Sequence, residues 1–285
     1  MTTKPLAKYN NLTQRLITGL LGAAAIIFGV SISEWAYFGI FFFICLFSLL
    51  EFYKLSGLDG MIPLKTLGTI IGLAVFSLSF FIEQQTIPYK YYFAIFPLVA
   101  IVYLVKLYKK SEQKPFTNIA FTFLGVFYVA LPFALLNHAV FRDTVQEGAI
   151  VSHYNYEIIL GCLLILWASD TGAYFAGTFF GRHKLFERIS PKKSWEGFWG
   201  GAALAIIMTY VLTLYFHSLS LVDWLIVSMI IIIGGTFGDL VESLLKRSIE
   251  IKDSGDSLPG HGGFLDRFDG LLISAPFIVA YLEIF

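Results

Sequence analysis

Runs of roughly twenty apolar residues recur nine times along this chain of 285 residues, separated by short charged segments. A helix of about that length is what crosses the hydrocarbon core of a bilayer. The runs fall near 16–33, 35–53, 66–82, 90–108, 117–140, 157–180, 197–217, 221–245 and 264–284. Only 14% of the residues are charged and 57% are hydrophobic; a water-soluble domain carries about 25% charge. Lipid is therefore the solvent, and the sequence predicts an all-α polytopic transmembrane bundle of about nine spans. The 29 Phe and 15 Tyr suit helix contacts and anchoring at the headgroup level. Cys45 and Cys162 each lie inside an apolar run and read as small buried hydrophobes, not as a disulfide or a metal pair. Lys4, Lys8 and Arg15 give the first run the look of a signal peptide, but with so many spans after it a retained helix is expected.

Loop charge fixes an expected orientation. With the N-terminus in the cytoplasm, all of the 20 basic residues except Lys90 and Arg142 fall on the inside, the pattern that sets topology. The C-terminus is then outside. A net charge of zero argues against a nucleic-acid partner. Composition divides the chain in two. Residues 1–160 read as about five ordinary spans that serve as scaffold and dimer contact. Residues 161–285 read as a catalytic region, because ionisable and glycine residues crowd its helices there, and such groups at membrane depth are costly enough to need a task.

The eighth run continues Gly234-Gly235-Thr236-Phe237-Gly238-Asp239-Leu240-Val241-Glu242-Ser243-Leu244-Leu245-Lys246-Arg247. Asp239, Glu242, Ser243 and Lys246 share one helix face, and the glycines permit close helix approach. Asp239 could instead pair with Lys246 or a neighbouring cation simply to hold helices together. Residues 251–263 form a glycine-rich loop by composition, whose amides could face an anion. Asp266 and Asp269 follow, three apart near a helix start, where a carboxylate can act as a cap; that bland role suits Asp269 better than Asp266. In the sixth run Ser169-Asp170-Thr171-Gly172 interrupts the apolar sequence, and Asp170 needs a partner or a watery cavity. A loop then carries Arg182, His183 and Ser190-Pro191-Lys192-Lys193-Ser194-Trp195-Glu196-Gly197 on the same membrane side. Carboxylates on separate helices beside surplus Lys and Arg suit a divalent ion and phosphates. His138, His153 and His217 read as bystanders near the opposite interface. The chemistry suggested is metal-assisted phosphoryl or nucleotidyl transfer at a membrane surface.

These residues resemble a known family. Ser243 to Asp269, with Lys246-Arg247, Lys252-Asp253, His261-Gly262-Gly263 and Asp266-Arg267-Phe268-Asp269, is similar to the signature of the phosphatidate cytidylyltransferases, or CDP-diacylglycerol synthases. The 169–174 and 190–197 stretches resemble further motifs of that family. The resemblance implies that CTP and phosphatidic acid give CDP-diacylglycerol and pyrophosphate in a reaction that requires Mg²⁺, with K⁺ beside it. It implies a homodimer in the lipid bilayer with a polar cavity facing the cytoplasm. It makes Asp239 and Asp266 metal ligands, and the neighbouring Asp170, Glu242 or Asp269 is expected to help them. Lys193, Lys246 and His261 join those two carboxylates as expected catalytic groups. Asp170, Ser190, Lys192, Ser194, Glu196, Arg247, Lys252, Asp253, Gly262, Gly263 and Arg267 are expected to bind substrate. A bacterial inner membrane is the expected location. Two other readings stay open on the residues alone: an ion-coupled transporter lined by Asp170 and Asp239, and another lipid-phosphate transferase.

Overall fold

The protein is described from a computed structural model that covers residues 11–58, 60–110, 112–146, 149–251 and 263–285. Helix follows helix because each apolar run must satisfy its own backbone where water is absent. In order they are α1 (Asn11–Ile32), α2 (Glu34–Leu58), α3 (Lys65–Glu83), α4 (Tyr89–Leu107), α5 (Pro115–Val140), α6 (Tyr156–Phe180), α7 (Trp195–Thr213), α8 (Leu221–Ser248) and α9 (Leu265–Ile284). The helices from α2 to α8 are each long and apolar enough to cross a membrane. The chain is thus an all-α polytopic membrane protein.

Helix starts follow local chemistry. Asn155 accepts the Glu157 amide at 2.8 Å to open α6, and Ser194 accepts the Gly197 amide at 3.1 Å to open α7. Ser220 and Asp223 form a reciprocal capping box at the head of α8. Helix α4 begins with a 3₁₀ segment, Tyr89–Ala94. Inside α5 the run Val126–Ala130 widens into a π-turn, a local irregularity that often sits at functional sites.

Two hairpins were not expected from the sequence. β1 (Phe141–Gln146) pairs antiparallel with β2 (Ala149–Tyr154) between α5 and α6. β3 (Lys184–Phe186) pairs with β4 (Ser190–Ser194) between α6 and α7, where the charged sequence reads as a plain loop. Short strands of mixed polar residues lack the alternation that would reveal them.

The first half packs through rings. Tyr37, Phe41, Phe76, Phe80 and Phe133 are all fully buried. Asn137 threads polar bonds among them, accepting from the Tyr37 hydroxyl and donating to the Phe76 carbonyl, both at 3.0 Å. Cys45 and Cys162 are free and buried, as the sequence suggests. In the second half the helices meet at glycine. A Cβ added at Gly172 of α6 would lie 2.5 Å from the Gly200 carbonyl of α7. One added at Gly238 of α8 would lie 2.4 Å from the Asp269 carbonyl of α9. Without side chains between them the backbones come together, the arrangement membrane helices use when no hydrophobic force drives their contact.

Candidate active site

The crossing of α8 and α9 builds the site. Gly234, Gly235 and Gly238 on α8 face Ser274, Gly270 and the Asp269 backbone on α9. This close approach brings the polar stripe of α8 against the acidic first turns of α9. Lys246 sits between the two helices, donating to Glu242 at 2.7 Å and to Asp266 at 2.6 Å. Lys246 and Glu242 are buried, and Asp266 is partly so. A buried ammonium held by two carboxylates satisfies part of a desolvation cost that no single partner would offset.

Two turns back from Lys246 on α8, Asp239 pairs with a different cation. Lys193 of β4 reaches it at 2.8 Å and also touches the Thr236 carbonyl at 3.3 Å. Along β4 Lys193 is partly buried while Lys192 is exposed. Ser243 donates to the other Asp239 oxygen at 3.1 Å. Asp170 of α6 is exposed on this surface and interacts electrostatically with Lys193, Asp239 and Arg267. Asp269 lies in the field of Asp239, Asp170 and Lys193, and Glu242 in that of Asp266, Asp269 and Lys246. The two lysine-centred pairs therefore belong to one continuous acidic cluster on α6, α8 and α9.

Several expected residues take local roles. The Asp239–Lys246 pair that the sequence allows does not form; each lysine serves a carboxylate on another element or turn. Asp266 accepts the Gly263 amide just before α9 at 3.0 Å, while Asp269, the alternative cap, accepts only the adjacent Gly270 amide at 2.6 Å. The reason is spacing: Asp266 is in the first turn of α9, and Asp269 begins the second. Ser194 is spent on capping α7. Glu196 accepts the amides of Arg182 and His183 and pairs with the His183 ring at 2.6 Å, closing the base of the hairpin. Ser190 begins β4, and Arg247 is exposed, donating to the Ile251 carbonyl at 3.3 Å. Arg267 is exposed beside the cluster, and Gly263 is buried at its edge. Lys252, Asp253, His261 and Gly262 lie outside the described residues. His138 does more than a bystander: it bridges Glu83 at 2.7 Å and Glu283 at 2.9 Å, tying α3, α5 and α9.

Two residues of the first half enter the site unannounced. Glu51 of α2, 5% exposed, accepts the Leu265 amide at the head of α9 at 2.9 Å. Tyr128, on the π-turn of α5, interacts electrostatically with Asp269 and Glu242, and its buried hydroxyl has no hydrogen-bond partner among the described residues. Glu51 stands at the end of an apolar run, and that buried acid was the available signal. Nothing in the sequence marks Tyr128.

The donor set suits a hard divalent cation. Asp239, Glu242, Asp266 and Asp269 are the oxygen donors at hand, and Glu242, whose Oε1 is buried, also lies within hydrogen-bonding reach of the Asp266 carboxyl. Among the described residues no group of three or more His, Cys, Asp or Glu side chains is placed to hold a metal ion by itself. Mg²⁺ is commonly held by one or two carboxylates with substrate phosphates filling the rest, so an open set is compatible with it.

The chain was compared with known proteins. Its residues 13–285 match the model of the Cytidylyltransferase family. A phosphatidate cytidylyltransferase of Bacillus subtilis is 32% identical over 281 residues, covering 96% of this chain and 99% of that protein. One of Staphylococcus aureus is 37% identical over 212 residues, covering 73% and 75%. A third, of Staphylococcus epidermidis, is 38% identical over 185 residues, covering 64% and 66%. With an acidic cluster and paired lysines at the crossing of its last two helices, and with a match running almost its whole length, this chain belongs to the cytidylyltransferase family.

Proposed function

We infer that the chain transfers the cytidylyl group of CTP to phosphatidic acid, giving CDP-diacylglycerol and pyrophosphate for phospholipid synthesis. The observation that carries this reading is the joining of Lys193–Asp239 and Lys246–Asp266 into one cluster by the α8–α9 crossing. Asp239 and Asp266, with Glu242 and Asp269 beside them, are the residues that would hold a divalent cation, Mg²⁺ in this reading. Bound there, the ion would screen the triphosphate and the charge that develops on departing pyrophosphate. Phosphatidate already carries an ionised phosphate, so the attacking oxygen needs little help from a general base. The barrier lies in bringing two polyanions together, and positioning with preorganised charge lowers it. Lys193 and Lys246, now held by carboxylates, are free to share their protons with phosphate oxygens as substrate arrives. Arg267, Lys192 and Arg247, exposed on the same end, draw the anionic headgroup and nucleotide in. His261, Lys252 and Asp253 complete the set on the strength of the resemblance, as do K⁺ and a homodimer.

In this reading the nine helices all span the membrane, with the N-terminus and the site on the cytoplasmic face of a bacterial inner membrane. The asymmetry of basic residues supports that orientation.

Asp239→Asn keeps the side chain's shape and removes one ligating charge. Cytidylyl transfer, followed with radiolabelled CTP, Mg²⁺ and phosphatidic acid in detergent micelles, should fall by about a hundredfold or more, while the protein still inserts. Full activity of this variant at saturating CTP would defeat the metal assignment. Failure of the unaltered protein to label any lipid would defeat the reaction itself.

A further inference from the structure

Helix α9 carries Asp266 and Asp269, yet Phe264, the residue at its N-cap position, provides no side-chain cap. The first amides of a helix need an outside acceptor, and here one comes from a distant part of the chain. Glu51 Oε2 on α2 accepts the Leu265 amide at 2.9 Å. One turn earlier on the same helix, Phe47 stacks on Phe264 with ring centres 5.0 Å apart and planes at 21°. Asp266 adds a bond back to the Gly263 amide at 3.0 Å. The start of α9 is thus gripped from α2 by one polar and one aromatic contact, at the residues that immediately precede Asp266.

We propose that Glu51 is a positioning residue for the reaction: its carboxylate caps α9 from α2 and so fixes Asp266 in the cluster. The proposal rests on the reading of Asp266 as a site residue. A buried acid in a membrane helix is costly, and a carboxylate at a helix N-terminus recovers part of that cost through the helix dipole. Placing the tie one residue before Asp266 makes the position of that carboxylate depend on it. Small displacements of a reacting group can cost about a hundredfold in rate.

The test compares Glu51→Ala, Glu51→Gln and Asp266→Asn in the full-length protein, with kcat and the KM for each substrate measured in micelles. Glu51→Ala should lower kcat about tenfold or more, with both KM values changed far less. Glu51→Gln, which keeps an oxygen for the Leu265 amide, should return kcat to within about fivefold of the unaltered enzyme. Combining Glu51→Ala with Asp266→Asn should cost less than the product of the two single effects, because one acts through the other. Unchanged kcat in Glu51→Ala, beside a loss in Asp266→Asn, overturns the proposal alone. Full activity in Asp266→Asn defeats the site reading instead. Equal losses in Gln and Ala also overturn it, since charge and not the accepted bond would then matter. If Glu51→Ala does not fold, Glu51→Asp takes its place, its carboxylate one methylene short of Leu265. The same kcat loss is then expected, and unchanged kcat overturns the proposal.

Discussion

Two glycines of the first half and two beside the site in the second serve opposite purposes. In the first half, Gly68 of α3 and Gly125 of α5 make room for a ring: a Cβ at either would lie 2.2 or 2.6 Å from the Tyr53 side chain. Tyr53 is fully buried there and donates to the Thr122 carbonyl at 2.6 Å. In the second half, Gly172 and Gly238 face backbone of the neighbouring helix. Ring-filled contacts hold helices apart. Backbone-to-backbone contacts bring helices close enough for short carboxylates and long lysines on different elements to meet. Scaffold and site thus differ less in how apolar they are than in what fills the gap between helices.

That contrast can be broken by substitution. Gly238→Ala should have the largest effect. Its methyl would press on the Asp269 carbonyl and the Gly270 Cα, neither of which can rotate away. Helices α8 and α9 must separate, and specific activity should fall by about a hundredfold or more. Activity near that of the unaltered enzyme would show that the crossing does not set the site. Gly68→Ala probes the other kind of contact. The added methyl meets the Tyr53 hydroxyl, so a loss of stability of about 1–3 kcal/mol is expected, read as a lowered Tm in detergent. Activity per folded molecule should survive; a loss as deep as that of Gly238→Ala would erase the distinction between halves. Ser220→Ala should do least. It removes the α8 cap at a cost of about 1 kcal/mol, roughly 28 Å along the helix from Asp239. A small Tm decrease with unchanged kcat is expected, and a fall in kcat would mean that the far end of α8 is coupled to the cluster.

Much of this architecture could be read from the chain. The nine apolar runs correspond to nine helices among the described residues, displaced by only a few positions at their ends. Asp239, Glu242, Ser243 and Lys246 do share a face, and Asp170, Lys193, Asp239 and Arg267 do come within electrostatic reach of one another. What escaped was who pairs with whom. Lys246 reads as a catalytic group, and nothing in the sequence says that it lies buried between Glu242 and Asp266. Glu196 reads as a substrate contact yet closes a hairpin that the sequence does not announce. Glu51 sits 214 residues from the amide it accepts, and no spacing rule reaches that far.

The sequence by itself determined the solvent, the helices and the region where chemistry gathers. Hydropathy over about twenty residues decides whether a segment prefers lipid, and helical periodicity decides which side chains share a face. Both are local. The tertiary structure alone decided that Lys193 meets Asp239, that Lys246 meets Asp266 and that α2 caps α9. Such pairings depend on the distance and angle at which helices cross, and those follow from the fit of glycine against backbone and of rings against one another across the whole bundle.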